Sequence, residues 1–265
     1  MTTAFREWRK MPRAARDELR GSEDYLTSRT VGMLRFLGPE TLARLLRSLE
    51  IEVGRGPIEV VLWPREQDCE PDATIASDTA FVLVEAKFKG SQLGEYATQL
   101  GREWRVVQGR RGLGAGHLLL ITDDRVLPEV PAVVAGPADK VVLGGGRVSV
   151  AQQIQQYCAI RRHPVPSPDE LDATIRWCSW AQLHVHCTAL VPDATTPAER
   201  VTLLEILASL ERLDCLPFQG WSTELPALPS PPARVHFSAP QAATARKLWT
   251  SELPAITGTY HSSWM

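Results

Sequence analysis

Cysteine is scarce in this 265-residue chain: Cys69, Cys158, Cys178, Cys187 and Cys215 are five in number, widely spaced and without a Cys-x-x-Cys pair. That pattern argues against a disulfide framework and a thiolate zinc cage, and leaves most of the thiols as small buried groups. No run of about eighteen apolar residues occurs, and the N-terminal residues lack a signal peptide's apolar segment, so neither membrane insertion nor secretion is expected and the default location is cytoplasmic. Neither sign of charge dominates, with 29 Lys and Arg against 31 Asp and Glu and a net charge of −2, so any nucleic-acid contact must come from local patches. The glycines of residues 109–116 (Gly-Arg-Arg-Gly-Leu-Gly-Ala-Gly) miss both the dinucleotide and the P-loop spacing and precede a strand, which argues against a nucleotide cofactor. Arg110 and Arg111 there are better placed to brush a nucleic-acid backbone. No internal repeat falls at a solenoid period.

What is present is an ordinary globular composition, 44% hydrophobic and 23% charged, long enough to bury one large core. Residues 1–20 hold six basic side chains against three acidic ones and read as a solvated helix or terminus, with a phosphate-contacting arm as the second reading. Ser22 is an N-cap candidate for a helix reaching Leu37, Gly38-Pro39 ends it, and Glu40–Leu49 is a second amphipathic helix. Ile58–Trp63 reads as a strand. Between Pro71 and Lys87 lie a short apolar strand (Ala73–Ala76), a turn at Ser77 and Asp78, and a β-prone run, Phe81–Val84, ending in Glu85 and Lys87. Side chains alternate along a strand, so Glu85 and Lys87 share a face, and a hairpin would bring Asp72 toward them.

After Lys89 the period changes to about 3.6 residues. Gln92, Tyr96, Gln99 and Glu103 fall on one helical face, with Leu93, Ala97, Leu100 and Trp104 adjoining. His117–Thr122 is a further buried strand, residues 128–147 hold at most one short strand near Val141–Leu143, and Ser149–Ile160 is a helix. Pro164, Pro166 and Pro168 mark a linker. Beyond it, helices are expected at Asp169–Leu183, Pro197–Leu213 and Pro240–Leu248. The chain therefore divides into a core of residues 1–163 and a helical, proline-rich region of residues 164–265. His184 and His186 read as a structural pair on one strand-like or loop face, Trp177, Trp180 and Trp221 as packing residues, and Asp123-Asp124 as a turn cap.

Hard carboxylate oxygens such as those of Asp72 and Glu85 suit Mg²⁺, whereas a protonated Lys87 suits a developing anionic charge. Pro71-Asp72, Glu85 thirteen residues on, then Ala86-Lys87, with a helix following, resemble the PD-(D/E)XK nuclease superfamily of restriction-endonuclease-like proteins. The resemblance widens to residues 20–125 through Ser22-Glu-Asp-Tyr-Leu-Thr-Ser28, similar to the first helix of defence-associated members, and through Gln99, twelve residues past Lys87. It implies an α/β fold with a mixed central sheet flanked by helices. It also implies a Mg²⁺-dependent nuclease (Mn²⁺ substituting) acting on DNA, in a defence or repair complex with other subunits, and leaves self-association open. The metal ligands would be Glu23 (ahead of Asp24, Glu40 and Glu59), Asp72, Glu85 and the carbonyl of Ala86. Lys87 would be the catalytic cation and Gln99 would orient substrate or water. The pattern departs from the RecB-like branch in having Glu103 where a Tyr follows the Gln by one turn; Gln92 and Tyr96 make a literal Gln-x-x-x-Tyr nearer the strand. The competing reading is an inactive nucleic-acid-binding or assembly subunit of the same fold, or a repair exonuclease.

Overall fold

A computed structural model of the chain describes residues 23–54, 56–66, 69–89, 93–94, 96–110 and 114–216. Within them lies one five-stranded sheet of order β1-β2-β3-β4-β7: β1 (Glu59–Leu62), β2 (Ala73–Ala76), β3 (Ala80–Ala86), β4 (Ala115–Thr122) and β7 (Ile175–Ser179). The first three strands run antiparallel and β3, β4 and β7 parallel, so the sheet is mixed. Continuous apolar runs are what a strand covered on both faces requires, and every residue of β3 is buried.

Two helical layers supply the cover. One face packs against α1 (Glu23–Arg29), a 3-10 segment (Val31–Phe36), α2 (Pro39–Ser48), α6 (Trp180–Leu190) and α7 (Pro197–Arg212), through Leu26, Leu45, Leu46, Trp180 and Ile206. The other packs against α3 (Gln99–Arg110), α4 (Val150–Ile160) and α5 (Pro168–Thr174), through Leu100, Trp104, Ile154, Tyr157 and Leu171. A separate hairpin of β5 (Val130–Ala135) and β6 (Val141–Val148) leans on α4 by way of Val130 and Val133. Among the described residues no helix is long and apolar enough to cross a membrane. All five cysteines are free thiols, as their spacing implies.

Four expectations are corrected. The expected helix Asp169–Leu183 is helix, strand and helix: Ile175 to Ser179 leave α5 to pair with β4, and Ser179 then caps α6 with a capping box to Gln182. Residues 164–216 therefore complete the same sheet and cover it, and do not form a region apart from residues 1–163. Residues 128–147 form two strands where one short strand near Val141–Leu143 was expected: β5 carries Pro131 inside it, which argues against a strand in the sequence, and β6 runs on through three glycines to Val148 with little apolar alternation to announce it. The helix expected to continue to Leu37 tightens into 3-10 turns after Thr30, whose hydroxyl donates to the Leu26 carbonyl. Ser22, the basic residues 1–20, Arg111, Trp221 and the Pro240–Leu248 segment lie outside the described residues.

Candidate active site

The β2–β3 hairpin sets the geometry. Ser77 closes its turn, donating its N–H to the Ala80 carbonyl and accepting the Ala80 N–H on its hydroxyl. The register pairs Ala73 with Val84, so Asp72 stands opposite Glu85 and on the same face. Hydrogen-bonded pairs alternate along such a ladder, and since Ser77 with Ala80 is one of them, the series ends at Pro71 with Ala86. Proline has no N–H to give, so the ladder brings no donor to the Ala86 carbonyl. The Ala86 N–H is taken instead by the Asp72 carboxylate, at 2.7 Å.

Alternation along β3 sends Phe81, Leu83 and Glu85 toward α3 and Val82, Val84 and Ala86 toward the α1 side. Glu85 is 2% exposed. Lys87 leaves the strand end with its backbone clamped: its N–H donates to the Ile121 carbonyl at 2.7 Å, and its own carbonyl accepts from the Trp180 indole at 2.9 Å. The ammonium bridges two elements, 2.6 Å from Glu85 Oε1 and 2.9 Å from Glu23 Oε1 of α1. The second oxygen of Glu23 accepts the Phe88 N–H, and Asp123 accepts the Lys89 N–H, fixing the turn beyond the strand.

The third wall is α3, which begins at Gln99. The Gln99 amide donates to Glu85, and Glu103, one turn later and 1% exposed, shares hydrogen bonds with both Glu85 and Gln99. A hydrogen bond between two carboxyl groups requires a proton on one of them. Gln99 Oε1 and Glu103 Oε2 are buried without a hydrogen-bond partner.

Four carboxylates and one ammonium in so little solvent perturb one another. Burial, then the charge of Glu85, push Asp72 up to about 7, against the Ala86 N–H and Lys87. Burial and Glu103 hold Glu85 well above the usual carboxylate range. Burial also drives Glu103 up to about 7, although its hydrogen bonds to Glu85 and Gln99 work downward. Burial alone would lower Lys87, but Glu85 and Glu23 outweigh it and hold the ammonium above its ordinary range. At neutral pH Lys87 is a fixed cation, not a base.

The structure thus brings together Glu23, Asp72, Glu85, Ala86, Lys87 and Gln99, while Asp24, Glu40 and Glu59 are exposed. No protein-family model, curated protein or solved structure matches the chain. What the chain does must be read from this cluster. The literal Gln-x-x-x-Tyr is not part of it: α3 starts only at Gln99, Tyr96 is 69% exposed in the turn before, and Gln92 lies outside the described residues. Glu103 is the site residue whose role the sequence left unassigned, and its signal was its place one turn after Gln99.

Other candidates fall away. His184 and His186 lie on α6, where two residues apart means nearly opposite faces, so they do not share one; His184 faces Glu211 at 3.5 Å. Trp177 donates to Thr122, and Arg110 pairs with Glu66. A cavity of about 600 Å³ beside β7, lined by Arg176, Trp177, Gln182 and His186 among others, includes none of the clustered carboxylates. Among the described residues no three His, Cys, Asp or Glu side chains stand as a ready-made metal-binding group. The donor set is nonetheless of the right chemistry for a hard divalent cation: carboxyl and amide oxygens, two of them buried and unpartnered, clustered about one strand end with a single ammonium.

Proposed function

We propose that the chain is a divalent-metal-dependent nuclease of the PD-(D/E)XK type, with a restriction-endonuclease-like sheet, that hydrolyses DNA phosphodiester bonds as the effector of a prokaryotic defence system. The observation that carries this reading is the Lys87 ammonium held between Glu85 at the end of β3 and Glu23 of α1, with Asp72 across the hairpin and Gln99 from α3 on the same carboxylate. Carboxyl ends of parallel strands are where α/β sheets place ligands, and this cluster stands at the end of β3.

Glu23, Asp72, Glu85 and the Ala86 carbonyl would hold Mg²⁺, or Mn²⁺ in its place. When bound, that ion supplies Lewis-acid polarisation of the phosphoryl oxygens and an acidified water. The chain does the rest. Pro71 withholds a backbone donor from the Ala86 carbonyl, and Asp72 fixes that peptide through its N–H. Lys87, kept protonated by its two carboxylates, offsets the negative charge that builds on the phosphoryl group as water oxygen bonds to phosphorus and the ester P–O bond breaks. Gln99 holds Glu85 in orientation through its amide N–H, and its own carbonyl oxygen stays buried without a partner.

The lack of a ready-made three-carboxylate group among the described residues favours the alternative, a nucleic-acid-binding or assembly subunit without activity. Incubating supercoiled plasmid, linear duplex and RNA with the protein in Mg²⁺ or Mn²⁺ separates the two. The nuclease reading expects cleavage of DNA that EDTA abolishes and that Asp72→Ala lacks. Binding without cleavage of any substrate, or equal cleavage by the variant, contradicts it.

A further inference from the structure

We infer that Glu103 is itself a ligand of the cation site, a fourth carboxylate that coordinates through Oε2 an ion it shares with Glu85, with the Gln99 carbonyl oxygen beside it. The inference rests on the proposed cation-dependent site and adds a wall to it, from α3.

Three observations carry it. Glu103 is 1% exposed, so its carboxylate cannot turn to bulk water. Its Oε2 and the Oε1 of Gln99 are both buried and both lack a hydrogen-bond partner, which is costly for acceptor atoms. The two residues stand four apart on α3 and therefore on one face, the face that meets Glu85. The Gln99 amide N–H is already given to Glu85, and Lys87 already spans Glu85 and Glu23. What remains on this side is a pair of buried oxygens with no donor directed at them. A water could satisfy their hydrogen bonding but gives no account of why Asp72, Glu85 and Glu103 gather at one strand end. A hard divalent cation, which takes six or more oxygen ligands and displaces carboxyl protons as it binds, accounts for both.

The test is Mn²⁺ binding to the full-length protein, followed by calorimetry and by the Mn²⁺ paramagnetic resonance signal, with no substrate present. Wild type, Glu103→Gln and Asp72→Asn are compared. Glu103→Gln keeps the volume and the contacts to Glu85 and Gln99 while removing the charge. The inference expects it to weaken Mn²⁺ binding at least ten-fold while the metal-free melting temperature does not fall. Should that variant melt lower, Glu103→Asp, which keeps the charge but draws the carboxylate back by one methylene, is read instead and must show the same ten-fold loss. Wild-type affinity and stoichiometry in Glu103→Gln, alongside a loss in Asp72→Asn, overturns the role of Glu103 and leaves the cation site standing. No Mn²⁺ binding by wild type overturns both.

Discussion

At the scale of single residues, Asp72 makes a sharp pH statement. Its carboxyl is raised to about 7, so the folded state holds its proton where the unfolded chain, near 3.9, has lost it. Stability from that proton is complete below about 4 and is lost as pH rises through about 7. Asp72→Asn, which can still accept the Ala86 N–H, should therefore gain melting temperature relative to wild type between pH 5 and pH 8. A difference that stays flat across that range would mean Asp72 is not desolvated as described. Pro71 makes a second prediction. Pro71→Ala returns an N–H to the ladder opposite the Ala86 carbonyl, so Mn²⁺ binding should weaken several-fold while the fold is kept; unchanged binding would remove Ala86 from the site. Asp72, Glu85 and Lys87 were legible in the sequence because a period of two places charges on one strand face. Glu103 was legible only as a position, since nothing in a helical period tells a buried carboxylate from a solvated one.

At the scale of elements, α3 is held close to α4: a Cβ on Gly101 would stand 2.1 Å from the Tyr157 ring, so only glycine lets α3 bring Gln99 and Glu103 down onto the sheet. The α1 side is tied by Glu199. From the first turn of α7 this side chain accepts the Gly38 N–H and the Thr41 hydroxyl at the start of α2, and also the backbone N–H groups of Thr195 and Thr196. It thereby caps two helices at once, one of them opened by a glycine with no side chain of its own to cap it. The Thr195 hydroxyl first, and then the Gly38 and Thr41 donors, draw its carboxyl down to about 2. Such a depressed group stabilises above the unfolded value near 4.3 and loses that contribution as pH falls through about 2. Glu199→Ala should cost roughly 3 kcal/mol at pH 7, with the gap from wild type narrowing in acid. Urea unfolding at pH 7 and pH 3 checks both parts, and a gap that widens in acid would contradict the assignment.

The elements themselves were unevenly legible. The helices expected at Ser149–Ile160 and Pro197–Leu213 match α4 and α7 to within a residue, and in the structure a capping box behind Ser149 and another behind Thr196 fixes each start. Strand β7 was hidden because Ile175 to Ser179 sits between two helical patterns, and only pairing with β4 makes it a strand.

At the scale of the whole molecule, the site exists because both layers contribute to one strand end: α1 brings Glu23 from one face, α3 brings Gln99 and Glu103 from the other, and the β2–β3 hairpin supplies the rest. A mixed sheet with helices on both faces is what the resemblance implied, and that much of the architecture is present. Its closing strand came from residues assigned to a separate region, since a proline-marked stretch such as 164–168 looks like a linker whether or not the chain returns to the sheet. The account stands or falls on Lys87 acting as a charge at the reacting phosphate. Single-turnover cleavage of supercoiled plasmid at saturating Mg²⁺, wild type against Lys87→Met, measures this directly. The expected result is a fall of about 10²–10³-fold in rate with DNA binding retained; cleavage at the wild-type rate by Lys87→Met would contradict it.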